Sequence, residues 1–108
     1  MAAYGAGRYA EAARALDAVA TEDRTPALAF YLGVARLLSG RPREAISVLR
    51  SISPESPYST EARYYLAKAW LRLSAADSAL AALARVPADA TMAPHAAALA
   101  DSVRKVDR

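Results

Sequence analysis

Gly7, Gly40 and Ser74 stand 33 and 34 residues apart, and three further columns keep the same steps: Ala12, Ala45 and Ala79; Leu16, Leu49 and Leu83; Val19, Ile52 and Val86. Leu32-Gly33 returns as Leu66-Ala67, again 34 residues on. A period of this length, with apolar residues recurring at steps of three and four, encodes two amphipathic helices per unit. One such hairpin cannot bury its apolar face alone, so the units must stack. Composition agrees with that restriction. Alanine supplies about a quarter of the chain, which favours closely packed helices over sheet. With 55% hydrophobic and 23% charged residues, the chain lies outside the disordered class.

Local signals place the helices within the period. One runs from about Arg8 to Ala20, ahead of the loop TEDRTP. The next spans about 26 to 39, opened by Pro26 and stopped by Gly40, a natural left-handed cap. Pro42 opens a helix of about 42 to 52 that closes before Ser53-Pro54. Two more follow at about 58 to 73 and 76 to 86, the latter stopped by Pro87. A last helix, about 92 to 106, carries Met92, Ala96, Leu99, Val103 and Val106 as one apolar stripe. In the stretch YSTEARYYLAKAWLRL, the expected core face is Ala62, Leu66, Ala69, Trp70 and Leu73, with Tyr65 at the junction to the preceding unit.

The segments ALAFYLGVARLLSGRPREAISVLRSI and EARYYLAKAWLRLSAADSALAALARV resemble tetratricopeptide repeats. That pattern has a Leu-Gly pair in helix A, a Gly at the turn, an Ala early in helix B and a large apolar residue four positions later. The resemblance covers about residues 7 to 87. Three features depart from the pattern: Ala67 replaces the helix A glycine, Ser74 replaces the turn glycine, and the aromatic expected after the turn is Tyr9 in the first unit but Pro42 and Ala76 later. The resemblance implies an all-α fold, a right-handed solenoid of antiparallel helical hairpins with about 2.5 repeats plus a C-terminal capping helix. Residues 1–108 then form a single domain: 7–25 a partial first repeat, 26–57 the second, 58–90 the third and 91–108 the cap. In this frame Asp101 takes the small-residue slot of Gly33 and Ala67. A carboxylate there opposes burial against a further helix. At the other end Gly7 takes the turn column, leaving the Ala12, Leu16 and Val19 stripe partly open. The expectation is a piece of a longer repeat protein, with self-association through that open repeat as the alternative.

Little in the chain points to chemistry. It has no cysteine, which removes disulfides, thiolate metal sites and cysteine nucleophiles and leaves the redox compartment open. His95 is the only histidine, next to Pro94, with no acid, serine or second ligand spaced to complete a triad or metal set. Glu22-Asp23 reads as a solvated loop because nothing nearby supplies the further oxygens a hard cation requires. Gly5 and Gly7 follow no strand, so no phosphate loop is expected. No catalytic residue, cofactor or metal is assigned, and the chain is not read as an enzyme.

The resemblance implies a protein-interaction module with helix A lining a groove. Its groove positions map to Ala27, Phe30, Val34, Leu37 and Leu38 in the second repeat, and to Glu61, Tyr64, Lys68, Leu71 and Arg72 in the third. The first set is apolar and the second amphipathic, which suits a protein or peptide with one hydrophobic anchor and an acidic group. The asparagine of carboxylate-clamp repeats is Val34 here, so chaperone tails are not the expected ligand. The net charge of +3 is spread among interleaved acids, as Glu44, Glu55 and Glu61 show, and this weighs against nucleic acid. No uncharged apolar run approaches the roughly 18 to 20 residues that span a bilayer, and MAAYGAGRYAEAARAL lacks the segments of a signal peptide. Cytoplasm is the default reading for the chain as given. SPYSTEARYYLAKAW is similar to repeats of bacterial envelope proteins and leaves a periplasmic or membrane-tethered parent open.

Overall fold

The computed structural model describes residues 2–19 and 25–106. Among these it contains six helices and no strand: α1 (Ala2–Asp17), α2 (Pro26–Leu38), α3 (Pro42–Leu49), α4 (Ser59–Arg72), α5 (Ala76–Ala84) and α6 (Ala93–Val106). Each helix packs on its neighbours in the chain, and α2 also touches α4. Two hairpins, α2–α3 and α4–α5, therefore stand side by side, flanked by α1 and α6. The chain measures 41 × 34 × 20 Å, and its short dimension is about two helix diameters, the thickness of a two-layer stack.

The repeat columns have direct structural meaning at the turns. The side chain of Thr25 caps α2 by accepting from the Leu28 N–H at 3.1 Å, with Pro26 in the first turn. At the other end Gly40 has φ +87, its N–H donates to the Leu37 carbonyl at 3.1 Å, and the Arg41 N–H reaches back to Arg36 at 2.8 Å. Ser74 repeats the device with φ +59: its N–H donates to Leu71 at 3.0 Å, and the Ala75 N–H donates to Trp70 at 2.9 Å. Both turns satisfy orphan helix carbonyls through a left-handed residue.

Gly7 does not repeat them. Helix α1 begins at Ala2 and passes through Gly5 and Gly7, so the expected start near Arg8 is corrected. Each glycine in a helix interior costs about 1 kcal/mol relative to alanine, and the alanine-rich surroundings offset that cost. Helices α3 and α5 end earlier than the periodicity suggests, at Leu49 and Ala84. After α3 the Ser51 hydroxyl donates to the Val48 carbonyl at 2.6 Å, a local bond that competes with helix continuation ahead of Pro54. After α5 the Arg63 guanidinium caps the Arg85 carbonyl at 3.1 Å. The Glu22-Asp23 pair lies outside the described residues.

Among the described residues, three clusters make up the core. Ala13 of α1 meets Leu32, Ala35 and Val48. Leu37, Ala45, Ile46 and Leu49 meet Ala62 and Ala69 of α4. Ala67, Ala79, Ala82 and Leu83 meet Ala96 and Ala100 of α6. Leu66 and Trp70 pack against both of the last two clusters and join them. Alanines at these contacts let helix backbones approach closely, and Gly33 takes this furthest: a Cβ there would lie 2.5 Å from Leu49 Cδ2. Arg36 ties three helices together, donating to the Asp17 carboxylate at the end of α1 and to the Glu44 carbonyl in α3 at 3.2 Å. Asp101 is exposed and pairs with Arg104 at 3.5 Å within α6.

Candidate functional site

Helices α2, α4 and α6 share a face, and their aromatic residues form a continuous chain of ring contacts across it. Tyr31 lies 6.5 Å from Tyr58, which stacks on Phe30 at 5.5 Å. Phe30 meets Tyr65 edge-on at 5.7 Å, Tyr65 meets Tyr64 at 5.6 Å, and Tyr64 meets His95 of α6 at 6.4 Å. These separations lie within the range where edge-to-face and offset ring pairs attract one another. Tyr31 is 56% exposed, so the strip opens to solvent. The Lys68 ammonium sits 4.9 Å from the Tyr64 ring centre and 5.8 Å from that of Tyr65, placing a positive charge on the strip by cation–π attraction.

The positions expected from sequence are distributed unevenly over this face. Tyr64, Lys68 and Phe30 belong to the strip. Lys68, Leu71 and Arg72 line an adjoining cleft of about 380 Å³, together with Leu37, Leu38 and Tyr65. Leu37 corrects the expectation of an accessible groove contact. It is 2% exposed and packs in the α2–α3–α4 core, so it forms the cleft floor. Val34 and Glu61 are half-buried on the same two helices, outside both the ring contacts and the cleft lining. His95 is exposed, as its reading as a surface histidine implies, but its place in the ring strip was not foreseen, nor were those of Tyr31 and Tyr58, and Tyr65 was expected as packing alone. A signal existed, because Phe30-Tyr31 recurs as Tyr64-Tyr65 at the repeat spacing of 34.

The face offers contact area and charge. His95 is exposed and has Tyr64 as its ring partner. No group of three metal-ligating side chains exists among the described residues. Among them, too, no helix is long and apolar enough to cross a membrane. Among the described residues, one carboxyl in the loop after α3 has its acidity clearly altered. There the Ser53 hydroxyl, with help from the backbone, holds the exposed Glu55 carboxyl below its ordinary value.

A family profile described as tetratricopeptide repeat matches residues 36–102, more than half of the chain. The chain belongs to the tetratricopeptide repeat family. Tetratricopeptide repeats generally mediate protein–protein interaction and are typically non-catalytic. The match spans α3, α4 and α5 and most of α6, so it includes both helices that carry Tyr64, Lys68 and His95. No curated protein and no solved structure gives a significant match to the chain.

Proposed function

We propose that this tetratricopeptide chain is a non-catalytic recognition module that captures a protein or peptide on the face of α2, α4 and α6. The observation that carries the reading is the unbroken ring chain from Tyr31 to His95 with Lys68 upon it. Aromatic side chains give large contact area at low entropic cost, and such rings dominate the energetics of many interfaces. The cleft beside the strip adds an apolar floor with two cations at its edge, Lys68 and Arg72. That arrangement favours a ligand with an aliphatic or aromatic anchor next to an acidic group. The test uses an array of short peptides and the double variant Tyr64→Ala with Lys68→Glu. Anchor-plus-acid peptides should bind the native chain, and the double variant should lose them, since truncating a central aromatic typically costs about 2 kcal/mol or more. Retained binding with an unchanged helical CD spectrum would refute the assignment.

One observation favours self-association as a second reading. Ala45 and Ala79 are fully buried, whereas Ala12 in the same column is exposed on α1 near Tyr9, itself 42% exposed. Concentration-dependent mass in solution, abolished by Ala12→Arg, is the expected result under that reading. A mass that stays monomeric at high concentration removes it.

A further inference from the structure

A second groove lies outside the ring strip, between α3 and α5 and floored by α4, with a volume of about 500 Å³. Its floor is one stripe of α4 running from Ser59 through Ala62 and Leu66 to Trp70. At 1.5 Å per residue that stripe is about 16 Å long, three turns of helix. Ile52 supplies one apolar wall, and Ala81 with Ala82 supplies a low wall on α5. Three guanidinium groups surround this apolar track: Arg50 after α3, Arg63 on α4 and Arg85 after α5. Arg63 is held in place by its 3.1 Å bond to the Arg85 carbonyl. No carboxylate is present among the described residues that line the groove. Glu55 and Asp77 adjoin Pro54 and Ser78 at its edges, and Glu55 is engaged by Ser53.

We propose that this groove is a docking site for an acidic amphipathic helix of a protein partner. An apolar stripe of such a helix would lie along Ala62, Leu66 and Trp70, and the small side chains of α5 let its backbone come close. Its flanking carboxylates would meet the Arg50, Arg63 and Arg85 guanidiniums, whose planar forks suit bidentate pairing. The arrangement matches helix-in-groove recognition, where apolar anchors recur at three and four residues. It fits single-stranded nucleic acid less well, because a polyanion tracks a polar basic channel and stacks its bases on open rings. Here the cations border an apolar floor, and Trp70 is packed against two core clusters.

The test is a titration with a labelled helical peptide of about 15 residues, or four turns, carrying leucines at helical spacing, glutamates on both flanks and no tryptophan. Trp70 is the only tryptophan in the chain, so its emission reports occupancy of the groove directly. The acidic peptide should bind in the micromolar range or tighter, with a change in Trp70 emission. Arg50→Glu with Arg85→Glu should weaken it by about ten-fold or more. Arg43→Glu with Lys105→Glu, which changes the net charge equally, should leave it within about two-fold, since scattered surface charges at a distance are largely screened. The proposal is overturned if the peptide does not bind, or if a version with lysine in place of glutamate binds as well. Equal binding by both double variants would also overturn it, as would displacement of the peptide by single-stranded DNA held through the same arginines.

Discussion

Gly33→Ala tests how closely α2 and α3 are packed. A methyl at this position would lie 2.5 and 2.6 Å from Leu49 Cδ2 and Cγ, and 3.1 Å from Val48 Cγ1. Leu49 is 2% exposed and sits within the α2–α3–α4 cluster, so displacing its branched end disturbs packing that three helices share. Forcing an extra methyl into a packed core costs about 1 to 3 kcal/mol. Removing glycine from a helix interior returns about 1 kcal/mol. The balance is a loss of about 1 kcal/mol, which lowers the melting temperature of a domain this size by about 4 to 8 °C. Thermal unfolding followed by helical CD measures it. A double-mutant cycle with Leu49→Ala isolates the cause. In that background the clashing Cγ and Cδ2 are gone, and Gly33→Ala should become neutral or stabilising, with a coupling of about 1 kcal/mol or more. A higher melting temperature for Gly33→Ala alone, or a coupling within about 0.5 kcal/mol of zero, would refute the packing argument.

Ser74→Gly should stabilise the chain by about 0.5 to 1 kcal/mol, because it removes a left-handed strain of about 1 to 2 kcal/mol and adds unfolded-state entropy of somewhat less; denaturant titration reads it. Gly40→Ala should lose a comparable amount through backbone strain alone, since no atom lies within 4 Å of the added methyl. The Glu55 carboxyl should titrate below the ordinary glutamate range when followed by NMR. Its folded value is depressed, so whatever it contributes to stability is present above the unfolded value and is lost as pH falls through the folded one. Ser53→Ala should move that midpoint back up, and an unmoved midpoint would remove the serine as the cause.

The helical hairpins were legible in the sequence because the 33 to 34 residue period is imposed by packing that recurs in each unit. Ala45 and Ala79 are fully buried, as their shared column requires, and Gly40 and Ser74 both adopt left-handed backbone at the turn. Gly7 shows where that logic ends. The same residue type in the same column is helical, because a glycine permits a left-handed turn without enforcing one. The ring strip was only half legible. Phe30 and Tyr64 follow from helix A periodicity, whereas Tyr58 precedes α4 and His95 opens α6, and only the stacking of three elements brings them into one line. Leu37 lies one turn after the buried Gly33 and packs into the α2–α3–α4 core, so it underlies the cleft and is not an exposed contact. The arginine-edged groove had no sequence signal of its own. Arg50, Arg63 and Arg85 lie on or next to three different helices and converge only in the folded chain.

The claim that recognition takes place on the α2, α4 and α6 face is tested most directly by mapping amide chemical-shift changes on titration with a peptide selected from an unbiased library. Shifts and broadening should concentrate at Tyr31, Tyr64, Tyr65, Lys68 and His95, with α1 silent. A footprint centred on α1 or α3, or a selection that yields no binding peptide, would contradict it.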